Sequence, residues 1–436
     1  MFLWPYRLLT WLLLPWAALH LLLRARRQPE YLQGWAQRFG LQRMPVAQPS
    51  IWLHAVSVGE TRAAQPLIRA LHAAYPHHRL VITHMTPTGR STSHALFGDD
   101  VDHRYLPYDT AWAMQRFFDD VRPDVGIIVE TELWPNMIGR AVRGGIPLVL
   151  VNGRMSSRSF QRYAAFPRLC RESLRGLSAV SAIAQADADR LNALGAPKAQ
   201  VFGNIKFDCR PPPEQQALGM RFRAACGGRP VVVAASTREG EEALLADAWR
   251  QMMAAQAQIW GDKRPLLVMV PRHPQRFEAV AEILASRGLT LQKRSETLTL
   301  SAQTDVWLGD SMGEMFAWYH CADVAIIGGS LLPYGSQNLI EAAAVGTPVL
   351  LGPSDYNFSA VAALALAEGA ALRVANADSA INSALALLAD SAQREAMRSS
   401  GLALAQRHAG ATQRTVELIS RFMPADRRSR GLDAQA

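Results

Sequence analysis

Lysine is almost absent from this 436-residue chain: Lys198, Lys206, Lys263 and Lys293 are all it has, so arginine carries most of the formal charge of +9. No Lys/Arg-rich tract with interleaved aromatics occurs, which argues against a nucleic-acid partner. An anionic partner of another kind remains, such as acidic lipid headgroups or a phosphorylated substrate. Cysteine is also scarce. Cys170, Cys209, Cys226 and Cys321 are scattered, with no C-x-x-C pair, and read as reduced thiols of a cytosolic compartment. The eleven histidines include no H-E-x-x-H pair. Neither a metal-ligand cluster, a P-loop nor a dinucleotide fingerprint is present, so no metal and no cofactor is expected. His54, inside an apolar strand pattern, reads as a core histidine. There is no short-period repeat and no long low-complexity segment.

Long apolar runs are confined to the N-terminus. Leu8 to Leu23 is broken only by Thr10, Pro15 and His20. It lies near the short end for a spanning helix, which needs about 20 apolar residues. Arg24, Arg26 and Arg27 follow it, whereas a cleaved signal peptide carries its charge before the run and a small-residue site after it. Residues 1–27 therefore read as an uncleaved anchor, spanning the membrane or lying in its interface, and a removed signal peptide is the alternative. The basic, aromatic segment 28–50 should stay near the membrane surface. The positive-inside rule puts the remainder in the cytoplasm.

From Ile51 the chain alternates strand and helix patterns. Ile51–Val58 reads as a strand, Gly59 as its turn, and Thr61–Leu71 as an amphipathic helix. Further strands are expected near Leu80, Val101, Val125, Pro147, Ala179 and Gln200, with helices such as Thr110–Val121 and Ser159–Leu174 between them. Cys209-Arg-Pro-Pro-Pro-Glu-Gln-Gln216 reads as a stiff linker, because consecutive prolines continue neither element. Strands near Val231, Leu266, Val306, Val324 and Pro348 repeat the alternation. The pattern predicts an α/β chain of two doubly wound parallel sheets. A first domain would cover 51–208, the linker 209–216, a second domain 217–410, and a last helix 411–424 before a polar, disordered tail, 425–436.

Ligands of such sheets sit beyond the carboxyl ends of the strands. Glu60 stands there in the first unit, either as a general base or as a cap on the helix it begins. Glu130 and Glu132 follow another apolar strand, and paired carboxylates there are costly to bury without partners; capping of the next helix is the bland alternative. Lys206 stands beside the linker and could equally be a surface ion pair. Three strand-end turns of the second half are candidate anion sites: Val270–Pro274 with Arg272, Gly309–Met315 with Gly313, and Gly328–Glu341 with Asn338 and Glu341. The last is the most specific, because structure alone rarely needs so many Gly, Ser and Asn residues together.

These stretches carry a resemblance. His54-Ala-Val-Ser-Val-Gly-Glu60, Thr86-Pro-Thr-Gly89, Tyr105-Leu-Pro-Tyr-Asp109, Glu130-Thr-Glu-Leu-Trp-Pro-Asn136, Lys206-Phe-Asp208, Ser236–Glu242, Pro271-Arg-His-Pro274, Gly309–Met315 and Gly328–Glu341 resemble the motifs of the 3-deoxy-D-manno-octulosonic acid (Kdo) transferases of lipopolysaccharide synthesis. The resemblance runs from the N-terminal anchor to the last helix. It implies a GT-B fold, two Rossmann-like domains facing across a cleft, the first (51–208) binding the acceptor and the second (217–410) the donor, CMP-Kdo. The acceptor would be a lipid A precursor in the cytoplasmic leaflet of the inner membrane, among its anionic lipids. By motif match, Glu60 is the base, and Glu130 and Lys206 assist the transition state. Pro271, Arg272, Met312, Gly313, Glu314, Asn338, Leu339, Ile340 and Glu341 would hold CMP. The chain departs from the pattern at Gly335-Ser-Gln-Asn338, where relatives often have Gly-Gly-His-Asn, and at Arg238, where they often have His. Another nucleotide sugar, or a membrane-tethered binding protein without turnover, are the competing readings.

Overall fold

In a computed structural model the described residues are 4–26, 28–255, 257–260 and 263–424. The expected disordered tail, 425–436, lies outside them. The chain forms two compact units, one of residues 1–208 and 409–436, the other of 209–408.

The first unit is a seven-stranded parallel sheet. Its strands are β1 (Ser50–His54), β2 (Arg79–His84), β3 (Val101–Tyr105), β4 (Pro123–Val129), β5 (Leu148–Gly153), β6 (Ala179–Ala182) and β7 (Gln200–Val201), in the order β3-β2-β1-β4-β5-β6-β7. Helices cover both faces, which is why its central strands read as continuous apolar runs. On one face Ile51 and Leu53 pack with Leu67, Ile68 and Leu71. On the other Trp52 packs with Met114, Phe117 and Phe118. Each large side chain buried this way contributes about 1.5–3 kcal/mol.

The second unit repeats the plan with β8 (Val231–Thr237), β9 (Leu266–Pro271), β10 (Leu291–Lys293), β11 (Val306–Leu308), β12 (Val324–Ile327), β13 (Val349–Leu351) and β14 (Ala371–Arg373). Their order is β10-β11-β9-β8-β12-β13-β14, again all parallel. Phe222, Trp307 and Trp318 form an aromatic cluster, with ring centroids 4.2 Å apart for Phe222–Trp318 and 4.8 Å for Trp307–Trp318.

Several boundaries differ from the sequence expectation. β1 stops at His54, and Ser57 then caps a helix, Val58–Ala63, that already contains Gly59. A second helix, Gln65–Ala74, begins beside Pro66, whose missing N–H and ring interrupt the helical ladder. Pro167 likewise divides the expected Ser159–Leu174 helix into Ser157–Ala164 and Pro167–Leu174. The expected linker 209–216 is shorter, because Pro213 opens the helix Pro213–Ala225; proline is well suited to a first helical position. The segment 28–50 folds onto the first unit: Arg38 is buried, donates to the Met85 carbonyl at 2.8 Å and stacks 3.6 Å over the Tyr105 ring. The last helix, Ala411–Ser420, belongs to that unit too. Asp208 accepts from the Gly410 and Thr412 amides, and Leu418 and Ile419 join the core around Leu67.

Candidate active site

In the first unit the ends of β1 and β4 bring three carboxylates into electrostatic contact. Glu60 sits in the first turn of the helix Val58–Ala63 as half of a capping box: its Oε2 accepts from the Val56 amide and, at 3.3 Å, from the Ser57 amide. Burial, then Glu130, then Glu132 push its pKa up to about 7, against these two stabilising N–H bonds. The capping reading of Glu60 is realised, and the cap holds a carboxylate whose pKa burial raises. Gly89 lets the neighbouring helix, Pro87–Phe97, approach this loop: a Cβ there would lie 3.2 Å from the Val56 carbonyl.

Glu130 follows β4 directly. Its amide donates to Val151 O at 2.9 Å, and its φ of 63° is left-handed, a conformation costing roughly 1–2 kcal/mol for a residue with a Cβ. Lys206 Nζ lies 3.4 Å from Glu130 Oε1. Lys206 is carried on the short turn Ile205–Asp208, which Asn152 holds by accepting from the Ile205 amide at 3.1 Å. Asn152, at the end of β5, is itself left-handed at 55°. Two adjacent strands therefore both leave the sheet through strained residues, a pattern that accompanies functional sites.

Glu132 accepts from Trp134 Nε1 at 2.8 Å, and burial and Glu130 raise its pKa. Neither Glu130 nor Glu132 caps the following helix, Pro135–Arg143. That role falls to Asp109, which accepts from the Asn136 amide at 2.9 Å and the Met137 amide at 2.8 Å. Burial raises Asp109 to about 6 despite these bonds. His54 is a core residue, hydrogen-bonded to Thr83 and depressed by burial to about 4.

The second unit places its candidate anion turns at the ends of β9, β11 and β12. Pro271 ends β9. Arg272 follows, donating its amide to Thr237 O at 3.0 Å and its Nε to Gln337 at 3.2 Å. Met312 is exposed, and a Cβ on Gly313 would meet open space, so backbone at this turn is accessible to a ligand. Glu314 is engaged with Arg294 at 3.0 Å and with Ser311. After β12, Asn338 Nδ2 donates to Glu341 at 3.1 Å, while its Oδ1 accepts from the Ile340 amide. Leu339 and Ile340 have buried side chains, so only their backbone could face a ligand.

Sequence reasoning gave no role to Glu241. It is fully buried and accepts from the amides of Arg238 (2.9 Å), Gly329 (2.7 Å), Leu331 (3.0 Å) and Leu332 (3.4 Å). It fixes the loop leading to Asn338. The Ser236–Glu242 motif was the available signal. Arg238 joins the same region: Nη1 lies 2.9 Å from His273 Nε2, and the guanidinium stacks 4.7 Å over Tyr334. Burial, Arg238, Arg272 and Arg276 lower the pKa of His273. Three arginines thus flank this strand end, of which Arg276 is paired with Glu239 at 3.5 Å and Glu242 at 3.2 Å. Among the described residues, no group of three or more His, Cys, Asp and Glu side chains is placed to hold a metal ion.

Two parallel seven-stranded units of this kind define the GT-B class of glycosyltransferases and related nucleotide-sugar enzymes. A glycosyltransferase from Rickettsia africae superposes with a TM-score of 0.57 at 12% identity, over 87% of this chain and 100% of that one. Residues 33–209 match the family model described as 3-deoxy-D-manno-octulosonic-acid transferase (kdotransferase). The 3-deoxy-D-manno-octulosonic acid transferase of Bordetella pertussis is 42% identical, over 87% of this chain and 88% of that protein. The Haemophilus influenzae transferase is 34% identical, over 91% and 93%. The chain belongs to the 3-deoxy-D-manno-octulosonic acid transferase family.

Proposed function

We propose that this Kdo transferase moves Kdo from CMP-Kdo to a hydroxyl of a lipid A precursor, lipid IVA, with inversion, at the cytoplasmic face of the inner membrane. The observation that carries the reading is Glu60, a carboxylate raised to about 7 by burial and by Glu130 and Glu132. A base of that pKa takes a proton near neutral pH. Its two hydrogen bonds fall on Oε2, so Oε1 receives the hydroxyl proton as the acceptor oxygen bonds to the Kdo anomeric carbon. The bond from that carbon to the CMP phosphate oxygen breaks, and its electron pair leaves with CMP. A phosphate leaving group needs no strong protein acid. Cationic and N–H groups stabilise its charge instead, and Arg272 with the turns at Gly313 and Asn338 suits that task. Lys206 and Glu130 form the charged pair beside the base.

A GT-B enzyme using another nucleotide sugar, and a tethered binding protein, are the alternatives. The experiment is to incubate the purified full chain in detergent with CMP-Kdo and lipid IVA. Release of CMP with a heavier lipid is the expected result. No product from folded protein, or displacement of CMP by a UDP-sugar, contradicts it.

A further inference from the structure

In the second unit the strands run from β8 through β9 to one edge of the sheet and from β12 to the other, so the order reverses between β8 and β12. Ligands of open α/β sheets bind at that crevice, beyond the carboxyl ends of the strands. Arg238 stands on the loop that follows β8. Ser236, just before it, is left-handed at 56°, a strain of the kind that accompanies functional sites. Glu241 accepts from both the Arg238 and the Gly329 amides, and so ties together the two loops that border the crevice. The Arg238 side chain is half-buried and held in place. A guanidinium has no acceptor, so Nη1 donates to His273 Nε2, at 2.9 Å. The guanidinium also lies 4.7 Å over the Tyr334 ring, and the Tyr334 hydroxyl is anchored on the Glu239 carbonyl at 3.1 Å. Arg276 spends its charge on Glu239 and Glu242. Arg238 forms no ion pair among the described residues, and an arginine positioned by a histidine and an aromatic ring keeps its charge for an anion from outside.

The inference rests on the proposed reading of the donor as CMP-Kdo. That donor carries two anionic groups on one carbon. The phosphate that leaves is bonded to the anomeric carbon, and so is the carboxylate of the sugar acid. Arg272 suits the phosphate. A second cation beside it is surplus for the CMP ester of a neutral sugar, whereas a sugar acid needs one. Arg238 has that place, because it touches His273, the residue that follows Arg272. Both arginines lie near enough to His273 to lower its pKa, behind the effect of burial. We infer that Arg238 binds the carboxylate of the donor sugar, next to the phosphate at Arg272, and so selects a sugar acid over a neutral sugar. The planar fork of a guanidinium matches a carboxylate in geometry as well as charge.

The test compares three ligands of the full chain in detergent: CMP, CMP-Kdo, and the analogue of CMP-Kdo whose carboxylate is replaced by a carboxamide. CMP is the control, since it has the phosphate and lacks the carboxylate. The parent should bind CMP-Kdo roughly ten- to a hundredfold more tightly than the carboxamide, the range of a hydrogen bond to a charged group. Arg238→Gln should erase that preference while CMP binding stays within twofold of the parent. Arg238→Lys should restore part of it. An arginine that only holds the loop would, when removed, weaken all three ligands alike, and that result overturns the inference. A Gln variant that keeps the full preference overturns it as well. So does a parent that binds acid and amide equally, a comparison that needs no variant to fold. Absence of CMP-Kdo turnover by folded parent with lipid IVA overturns the transfer reading itself, and the carboxylate assignment with it.

Discussion

Lys206 Nζ stands 3.4 Å from Glu130 Oε1, a pair 76 positions apart in the sequence. Both side chains are about a quarter exposed, so their mutual attraction alone adds little to stability. The proposed role is that Lys206 holds Glu130, whose charge acts on Glu60. Lys206→Met and Glu130→Gln should each lower turnover more than they lower the melting temperature. The double variant should lose less than the sum of the two, with a coupling of about 0.5–3 kcal/mol in a double-mutant cycle. Additive losses would show that the two act independently.

Glu60→Gln keeps the shape of the carboxylate and removes the base. Turnover should fall roughly a hundred- to ten-thousandfold, while CMP binding by calorimetry stays within twofold of the parent. A variant that keeps most of its turnover removes Glu60 from the proton transfer.

The pH dependence follows from the neighbours of Glu60. Only the ionised carboxylate accepts a proton, so kcat/KM should rise with pH through about 7, the value to which burial, Glu130 and Glu132 raise Glu60. Removing the Glu130 charge takes away a cause that raises this pKa. The residual activity of Glu130→Gln should therefore show its acid limb at lower pH than the parent. A limb that stays in place, or moves upward, would break the link between the two carboxylates.

Glu241 holds four amides of the strand-end loops in the second unit. Glu241→Ala strands these N–H groups, each costing about 1–3 kcal/mol if it stays buried and unpaired. The expected result is a clear drop in melting temperature and weaker CMP binding; Glu241→Gln should recover part of both. Unchanged CMP affinity in the alanine variant would show that the loop does not need this carboxylate.

Ser336 has a φ of 68°, a backbone region that favours glycine. Ser336→Gly should relieve a backbone cost of roughly 1–2 kcal/mol, offset in part by the lost hydroxyl bond to the Gln337 carbonyl. A small rise in melting temperature is expected, and a fall would mean that the hydroxyl outweighs the backbone strain.

The alternation of apolar strand runs with helical spacing made the two parallel sheets legible, since strands buried on both faces must be apolar throughout. The edge strands β10 and β14 were not legible. Each has three residues, and neither is apolar enough to stand out from a loop. Proline misled in both directions: the expected helices ran through Pro66 and Pro167, which divide them, and the expected linker included Pro213, which begins a helix. The motif loops pointed to Glu60, Glu130 and Lys206. What no linear pattern shows is long-range pairing, such as Asp109 capping a helix 27 positions on, Asp208 receiving the chain's return at Gly410 and Thr412, or Tyr6 reaching Asp109.

The central claim is Kdo transfer to a lipid acceptor with Glu60 as base. Mass spectrometry of the lipid after prolonged reaction with excess CMP-Kdo tests it most directly, run in parallel for the parent and Glu60→Gln. The account predicts a mass gain in whole Kdo units with the parent and an almost unchanged acceptor with the variant. An unchanged acceptor with folded, CMP-binding parent protein, or equal gains from both, would contradict it.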